Sequence, residues 1–253
     1  MQIDLSGKTA LVTGAGAGIG RGIALALAEN GAYVVVNYRS NAEGAREVLT
    51  TIQKAGGSGM IYEADVTKTE QVKALMQAIA EQRGSLDILV NNAGGLVERV
   101  KVADMSDETY DRVMDVNVRS AFLCCREALP LMRGRGWGRI INLASLAAHD
   151  GGGPGATIYA TTKGALWSFT KGFAKEVAPE GITVNCVSPG LINTAFHDVF
   201  STPQSRENMV NNTPLHREGE TSDVAGPVLF LVSDLASFIT GENVNINGGL
   251  RMC

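Results

Sequence analysis

Seven short runs of apolar residues alternate with longer segments in which apolar residues recur every three or four positions. The short runs predict strands at residues 9–13, 33–38, 59–64, 86–92, 138–144, 182–187 and 243–247. They are almost continuously apolar, which is typical of strands that helices cover on both faces. The longer segments predict helices at residues 18–30, 41–55, 69–82, 107–132, 159–178 and 223–233. This alternation indicates right-handed crossovers and a parallel sheet, and therefore an α/β fold.

Several predicted helices have capping or helix-terminating residues at their ends. Gly31 follows the first helix as a stop, Ser106 is a good N-cap, and Ser222-Asp223 precedes the last long helix. Residues 188–220 have no clear pattern and are too long for an ordinary connection. We expect one domain over residues 1–253, with a partly helical substrate lid at residues 190–218.

Composition and charge exclude some classes of partner. The chain is 45% hydrophobic and 19% charged, and its net charge of −4 is spread without a long basic run. Nucleic acids and anionic membranes need a concentrated positive surface, so neither partner is expected. No apolar run approaches the roughly 20 residues that span a bilayer. Because the N-terminus lacks a basic leader with an apolar core, we expect a cytoplasmic protein.

The four cysteines predict neither a metal site nor a disulfide framework. Cys124, Cys125, Cys186 and Cys253 have no CxxC spacing and no paired histidine. The first three lie in apolar segments, where reduced thiols behave as small hydrophobic side chains. We therefore expect no metal.

A glycine-rich turn joins the first strand to the first helix. Gly14, Gly16, Gly18 and Gly20 lie in "TGAGAGIG", and a second strand follows within about 30 residues. Glycines let the backbone approach a pyrophosphate, and the helix N-terminus offers it free N–H groups. A purely structural turn is the alternative, but this context favours dinucleotide binding.

The end of the second strand bears on which dinucleotide binds. A site for NAD usually has Asp or Glu there, whereas this chain has Tyr38, followed by Arg39 and Ser40. A guanidinium pairs with a 2′-phosphate, and no carboxylate at this position repels it. NADP(H) is therefore favoured over NAD(H), which stays an alternative because Arg39 can also be a solvated loop residue.

Tyr159 and Lys163 are four positions apart in a predicted helix, so that both side chains lie on one face. A phenol titrates near ~10 and needs a lower pKa to exchange protons at neutral pH. A neighbouring ammonium favours the phenolate, so Lys163 is expected to lower the pKa of Tyr159.

Taken together, these motifs resemble the short-chain dehydrogenase/reductase family. They are "TGAGAGIG", "NNAG", "VNV", "NLASLAA", Tyr159-x-x-x-Lys163, "VSPGLINT" and "GENVNINGG", in this order. The similarity covers about residues 5–250 and is closest in pattern to the 3-oxoacyl-acyl-carrier-protein reductases. It implies a Rossmann-type, doubly wound sheet of about seven parallel strands and a homotetramer.

The resemblance also assigns cofactor contacts along the chain. It places the pyrophosphate on the glycine loop, the adenosine beside the second, third and fourth strands, and the nicotinamide near the "VSPGLINT" segment. The implied residues are Gly14, Gly18, Ile19, Gly20, Asp65, Val66, Asn91, Ala93, Gly94, Pro189, Gly190, Ile192 and Thr194. Asp65 has an alternative role as the N-cap of the next helix, and Thr194 as a plain loop hydroxyl.

The implied catalytic residues are Asn117, Ser145, Tyr159 and Lys163. Tyr159 exchanges the proton, Ser145 donates to the substrate oxygen, and Lys163 also holds the nicotinamide ribose. Asn117 distorts its helix and orders a water that relays protons to Lys163, although an ordinary polar helix residue is the alternative. Ser145 and Tyr159 are 14 residues apart, one more than expected, and the glycine-rich loop between them absorbs the extra residue.

These residues predict an NAD(P)(H)-dependent oxidoreductase that interconverts a secondary alcohol and a ketone. The candidate substrates are 3-oxoacyl thioesters and small carbonyl or polyol compounds. Arg133, Arg135 and Arg139 offer a basic surface for a carrier protein, whereas Glu180 opposes it. The alternative function is a catalytically silent dinucleotide-binding regulator or scaffold. A sugar epimerase of the extended type is not favoured, because no residues remain for a second domain.

Three further expectations concern the surroundings of the substrate. Phe196, Val199, Phe200 and Met209 are expected to form an apolar wall. His149 lies near enough to Ser145 to border the substrate, but a lone histidine is more often structural. His197 and His216 lie in the expected lid, with the same alternative.

Overall fold

The seven strands in the described part of the chain lie in one parallel sheet. The computed structural model describes residues 3–252, and of His197 it describes only the backbone. The strands are β1 (Thr9–Val12), β2 (Tyr33–Tyr38), β3 (Ser58–Glu63), β4 (Ile88–Asn91), β5 (Gly138–Leu143), β6 (Ile182–Pro189) and β7 (Asn243–Ile246). Their order across the sheet is β3-β2-β1-β4-β5-β6-β7.

Helices connect these strands. They are α1 (Gly18–Glu29), α2 (Ala42–Lys54), α3 (Thr69–Arg83), α4 (Asp107–Met114), α5 (Ser120–Met132), α6 (Ala147–Asp150), α7 (Thr157–Val177), α8 (Ala195–Phe200), α9 (Pro203–Asn212) and α10 (Thr221–Val232). Short 3₁₀ turns lie at Val102–Asp104, Ala178–Glu180 and Asp234–Ala236.

Successive residues of each central strand point into different cores, because side chains alternate across a sheet. Val12 and Val34 pack with α1, α2 and α10 on one face, whereas Leu11 and Val35 pack with α3, α5 and α7 on the other. All of these side chains are fully buried. The prediction of a doubly wound sheet with helices on both faces is therefore confirmed.

The strand order reverses between β1 and β4. Leu11 of β1 pairs with Val35 of β2 on one side and with Leu89 of β4 on the other. Connections from these two strands leave in opposite directions, which opens a crevice at their carboxyl ends. The glycine-rich turn lies at this crevice, directly after β1.

The predicted helix at 107–132 is interrupted. A π-helical turn, Asp115–Arg119, separates α4 from α5. Ser106 caps α4 as predicted, accepting from Thr109 N at 3.2 Å. The interruption is centred on Asn117, whose contacts are described with the site.

The start of α10 differs from the sequence prediction. Glu220, and not Ser222, is its N-cap, and Glu220 and Asp223 form a reciprocal capping box. Asp223 also pairs with Arg217 at 2.6 Å. This pair lowers the pKa of Asp223 to about 2, with the hydrogen bond from Arg217 as the largest cause.

The described cysteines are buried free thiols: Cys124, Cys125 and Cys186. Burial raises the pKa of Cys125 and of Cys186 to about 12, and it raises that of Cys124 further. Thiolates are the reactive form, so these side chains act as packing residues. Cys253 lies outside the described residues.

Within residues 3–252, none of the helices combines the length and apolar character that a bilayer crossing needs. The same residues contain no group of three or more His, Cys, Asp or Glu placed to hold a metal ion.

Candidate active site

The glycine loop leads from β1 into α1. Gly14 and Gly18 have φ angles of +63° and +53°, which a residue with a Cβ rarely adopts. Ala17 at the N-cap makes no side-chain hydrogen bond, and the first turn of α1 contains no acidic residue. The N–H groups of that turn therefore stay available, with their partial positive charge, for an anionic group. This end of α1 fits a pyrophosphate.

Three asparagine side chains hold the loop in place. Asn37 accepts from Gly14 N at 3.2 Å, and Asn41 donates to Gly16 O at 3.1 Å. Asn92 donates to the carbonyl oxygens of Thr13 and Gly14 at 2.9 and 3.1 Å. Sequence reasoning missed all three, although Asn37 is a polar residue in an otherwise apolar strand.

Asn91 does not face the cavity, contrary to its expected place along the cofactor. It is 4% exposed, and its Nδ2 lies 2.9 Å from Asn142 Oδ1 and 3.2 Å from Cys125 Sγ. Because successive side chains of a strand end point to opposite sides, Asn92 faces the glycine loop instead. Ala93 lies against Gly14, with its Cα 3.2 Å from where a Cβ of Gly14 would be.

Residues expected at the adenosine lie at the carboxyl ends of β2 and β3. Arg39 and Ser40 are exposed just after β2, and Val66 is buried beyond β3. The Asp65 carboxylate accepts from the N–H and the hydroxyl of Thr67 at 2.9 and 2.7 Å. Asp65 is thus a turn residue, and its alternative role as the N-cap of α3 is wrong, since Lys68 has that position.

A single cavity of about 450 Å³ brings together most of the remaining candidates. Those lining it are Gly14, Gly18, Ile19, Gly20, Gly94, Ser145, Tyr159, Lys163, Pro189, Gly190, Ile192 and Thr194. Ser145 lies two residues after β5, and Tyr159 and Lys163 lie on α7. The cavity thus connects the glycine loop with the Ser, Tyr and Lys side chains.

The expected pKa shift of Tyr159 is wrong for the protein without cofactor. Burial raises the pKa of Tyr159, and a hydrogen bond with Ser145 only partly offsets this. Lys163 Nζ lies 5.6 Å from the centre of the Tyr159 ring and donates to Leu143 O at 2.7 Å. Burial also lowers the pKa of Lys163, to about 8. Desolvation therefore outweighs the attraction that the four-residue spacing suggested.

Asn117 lies at the centre of the π-helical turn. Its Nδ2 donates to Val113 O at 2.9 Å and to Gly95 O at 2.8 Å, while its Oδ1 accepts from Gly95 N at 3.0 Å. It therefore fixes the loop after β4 rather than serving as an ordinary polar helix residue. A Cβ at Gly94 would lie 2.7 Å from Asn117 Oδ1 and 3.1 Å from Lys163 Nζ, so a larger residue would displace these two side chains.

Thr194 closes the cavity over the glycine loop. A Cβ on Gly18 would lie 3.6 Å from the Thr194 methyl carbon. The Thr194 hydroxyl donates to Ile192 O at 3.3 Å, which orients the end of the "SPGLINT" segment. The residues expected at the nicotinamide thus lie opposite the N-terminus of α1.

The apolar wall is confirmed in part. The Phe196 ring lies 6.3 Å from that of Tyr159 and 5.0 Å from that of Phe200, and Met209 lines the cavity. Val199 is 73% exposed and points away, because it lies on the outer side of α8. Arg99 and Asp150 also line the cavity, and no motif or periodicity in the chain indicated either residue.

His149 lies outside the cavity wall. Its ring packs on Trp167 with centroids 4.8 Å apart, and its Nε2 lies 3.0 Å from Asn243 Nδ2. The structural alternative therefore holds for His149. His216 adopts a φ of +50° in the turn before α10, and the side chain of His197 lies outside the described residues.

The three arginines proposed as a docking surface already have acidic partners. Arg133 pairs with Glu180 at 3.0 Å, Arg135 with Asp87 at 2.9 Å, and Arg139 with Asp234 at 3.4 Å. Arg139 is also only 3% exposed and stacks on Trp137. These charges do not form a free basic surface, so that expectation is wrong.

A seven-stranded parallel sheet with a glycine loop at its switch point and a Tyr–Lys pair in the adjoining cavity defines a dinucleotide-dependent oxidoreductase. The chain belongs to the short-chain dehydrogenase/reductase family. A family profile described as enoyl-(acyl carrier protein) reductase matches residues 14–251.

Named relatives agree with this class. The chain is 42% identical to 3-oxoacyl-[acyl-carrier-protein] reductase FabG of Staphylococcus aureus over 245 residues, which cover 97% of this chain and 98% of that protein. A crystal structure described as a short-chain alcohol dehydrogenase of Sinorhizobium meliloti has a TM-score of 0.92 at 38% identity, covering 98% and 97% of the two chains. A short-chain dehydrogenase/reductase mutant from Serratia marcescens has a TM-score of 0.91 at 34% identity, covering 97% and 98%.

The protein is therefore an NAD(P)(H)-dependent oxidoreductase, and the alternative of a silent scaffold is not favoured.

Proposed function

We propose that the protein reduces a ketone to a secondary alcohol with NADPH and catalyses the reverse oxidation. The observation that supports this most directly is the convergence of Ser145, Tyr159 and Lys163 on the cavity that the glycine loop borders. A bound reduced nicotinamide supplies a hydride, a proton with two electrons, to the carbonyl carbon. The chain has to supply the remaining proton and to stabilise the developing negative charge.

Tyr159 is the proposed proton donor. Its raised pKa keeps the phenol protonated at neutral pH, so it can donate its proton to the carbonyl oxygen as the C–O double bond becomes single. Ser145 donates a hydrogen bond to the same oxygen and stabilises its charge. In the reverse direction the phenolate has to accept the alcohol proton, and the positive charge of Lys163 favours that form.

Lys163 and Asn117 complete the proposed machinery as positioning residues. Leu143 O accepts a hydrogen bond from Lys163 Nζ and thereby fixes the position of the ammonium group in the cavity. From this position Lys163 is proposed to bind the nicotinamide ribose. Asn117 fixes Gly95 and thereby the loop beside Lys163. The proposed proton route runs from Tyr159 past Lys163 towards Asn117.

The preference for NADPH over NADH is part of the proposal. Arg39 and Ser40 are exposed at the end of β2, where the adenosine ribose of a cofactor on the glycine loop lies. Tyr38 replaces the acid that an NAD site has there, and its hydroxyl lies 3.4 Å from a Glu63 oxygen. Arg39 is the one cation among Tyr38, Arg39 and Ser40, so the preference rests on one guanidinium.

Within the lid expected at residues 190–218, the α8–α9 segment, residues 195–212, is the part that is proposed to open, in a single catalytic domain. It contributes Phe196 and Met209 to the cavity wall, and Arg206 fastens it. Arg206 pairs with Asp198 and Glu218, each at 2.6 Å. Short helices with few buried residues suit a segment that opens for substrate.

A cytoplasmic homotetramer is proposed as the working form. Tyr110 of α4 and Phe122 of α5 are 43% and 44% exposed, and Phe230 of α10 is 40% exposed. Large apolar side chains at helix surfaces suit contacts between copies of the chain. Sedimentation velocity tests this, and a monomer at micromolar concentration would contradict it.

A substrate panel tests the proposed activity. It comprises 3-oxoacyl thioesters, enoyl thioesters, small ketones and polyols, each assayed with NADPH and with NADH. Tyr159→Phe should abolish turnover while dinucleotide binding stays unchanged, because the variant loses only the phenolic proton. Retained activity would remove Tyr159 from its role. If no carbonyl compound reacts although the cofactor binds normally, the scaffold alternative returns.

A further inference from the structure

Arg99 lines the active-site cavity and is exposed to solvent, on the loop between β4 and α4. We propose that it binds a carboxylate of the substrate, so that the preferred substrates are oxo acids in which an apolar segment separates the carbonyl from the acid. The inference rests on the proposed function and names its substrate class. The acid takes no part in hydride transfer, and its bonds are unchanged by the reaction.

The guanidinium of Arg99 is oriented without being neutralised. Its Nε donates to Phe200 O at 2.9 Å, and its Nη1 donates to Pro154 O at 3.1 Å. Both acceptors are uncharged carbonyl groups, and no carboxylate in the described chain lies within ion-pair distance of Arg99. An arginine has five N–H donors, so Arg99 keeps donors and a full charge for a ligand.

The surrounding cations and anions favour one negative charge on the ligand. Among the described residues that line the cavity, Lys163 is the other cation, and it already donates to Leu143 O. Asp150 also lines the cavity, with its Oδ1 accepting from Gly152 N at 2.8 Å. Its charge opposes a dianion such as a phosphate more strongly than a carboxylate.

The distance between Arg99 and the reacting group sets the form of the substrate. A row of aromatic rings runs from Tyr159 through Phe196 to Phe200, with centroid spacings of 6.3 and 5.0 Å. Arg99 donates to the backbone carbonyl oxygen of Phe200, the residue at the other end of this row. An acid held by Arg99 is therefore expected to place several carbons of its chain beside Phe196, which lines the cavity, before the carbonyl reaches Tyr159.

A merely structural role for Arg99 makes a different prediction. The loop that contains Arg99 also bonds to the loop between α6 and α7, because Val100 N donates to Gly155 O at 3.1 Å. If Arg99 only joins these loops to α8, its loss weakens catalysis for charged and neutral substrates alike. If it binds a carboxylate, the loss is confined to acids.

The test compares oxo acids of increasing chain length with their methyl esters, using wild type, Arg99→Met and Arg99→Lys. Wild type should prefer the acid. Arg99→Met should lower kcat/KM for the acid by about tenfold to thirtyfold, the size expected for a partly solvated charged hydrogen bond, and change the ester by less than about threefold. Arg99→Lys should recover part of the loss, because lysine restores the positive charge but cannot form the two parallel hydrogen bonds of a guanidinium to a carboxylate.

Arg206→Met is the matched control. It removes another arginine that holds the α8–α9 segment but does not line the cavity, so acid and ester should fall together. An equal loss for acid and ester in Arg99→Met, or an acid-specific loss in Arg206→Met, would overturn the inference.

Calorimetry with a saturated carboxylic acid of matching length, in the presence of oxidised cofactor, measures the same site without turnover. Arg99→Met should weaken this binding by about tenfold, while the matching methyl ester binds as before. If Arg99→Met weakens acid binding in this way but the wild type reduces no carbonyl compound in the substrate panel, the proposed function is refuted and the carboxylate site stands. Equal binding of the acid to wild type and Arg99→Met would refute the site alone.

Discussion

At the scale of single residues, burial decides the chemistry of the Tyr159–Lys163 pair more than spacing does. The four-residue spacing predicted that both side chains share one face of α7, and both line the same cavity. It did not predict the sign of the pKa shift of Tyr159, because desolvation depends on what covers the phenol. The electrostatic support from Lys163 therefore matters chiefly when the phenolate forms.

The lowered pKa of Lys163 makes stability depend on pH. Its pKa is about 8 in the native protein and 10.5 ordinarily, so the unfolded chain binds more protons between these values. Unfolding free energy of the wild type should therefore rise by about 3 kcal/mol relative to Lys163→Met as pH increases through this window. Urea unfolding of the cofactor-free protein at several pH values measures this.

An exposed lysine on the same helix gives the control for that measurement. Lys175→Met removes the same charge from the surface of α7, so its difference from wild type should stay almost constant between pH 7 and 10. Parallel behaviour of the two variants would mean that Lys163 is not desolvated.

Arg39 provides a second test at the residue scale. Arg39→Asp removes the proposed partner of the 2′-phosphate and adds a repelling charge, so the ratio of kcat/KM for NADPH to that for NADH should fall roughly a hundredfold. Arg46→Asp, at an exposed position of α2, should leave the ratio within about twofold. An unchanged ratio in Arg39→Asp would show that the cofactor preference was assigned wrongly.

At the scale of elements, the π-helical turn shows how one side chain alters a helix. Asn117 satisfies the carbonyl of Val113 with its side chain and uses its remaining polar atoms to hold Gly95. The hydrophobic pattern predicted one helix over 107–132, since a single π-helical turn interrupts a long helix without a break in its helical character. The distortion was expected only from the family resemblance.

Replacing Asn117 should uncouple this helix from the active site. Asn117→Ala removes both bonds to Gly95, so the loop beside Lys163 loses its anchor and kcat should fall about tenfold or more. Ser120→Ala removes a hydrogen bond to Val116 O in the same stretch without touching the loop, and kcat should change little. Steady-state kinetics and dinucleotide titration of both variants separate catalysis from cofactor binding. Equal kcat losses would assign the effect to helix stability.

Strands were easier to predict than loops. Continuous apolar runs located β1, β2 and β5 to within a residue or so, because burial on both faces leaves a strong pattern. The side chains of Arg99, Asn41 and Asp150 reach the site from loops or helix ends, where tertiary contacts set the backbone. No periodicity in the sequence records those contacts, so these residues emerged only from the structure.

At the scale of the whole molecule, the alternation of elements predicted a parallel sheet but not its strand order. The order that places β1 beside β4 emerged only from the structure, since an αβ alternation alone is compatible with several orders. That order is what puts the glycine loop, Ser145 and α7 at one crevice. The candidate site thus depends on pairings between residues far apart in the chain.

Cofactor binding should stabilise the entire fold. The crevice exists only when β1 and β4 are paired, so a dinucleotide binds the native state and raises unfolding free energy by about 2.7 kcal/mol at a hundredfold excess over Kd. Thermal unfolding with increasing NADP⁺ measures this effect, and Tyr159→Phe should show the same shift. Gly18→Val should lose it, because its φ of +53° disfavours a β-branched residue. An undiminished shift in Gly18→Val would contradict binding at the loop.

The uncapped first turn of α1 has a practical consequence for work with this enzyme. Inorganic phosphate and sulfate are tetrahedral oxyanions that suit the same amide groups as a pyrophosphate. These anions should therefore compete with the dinucleotide and raise its apparent KM in phosphate buffer or in concentrated ammonium sulfate. Zwitterionic amine buffers are the better choice for assays.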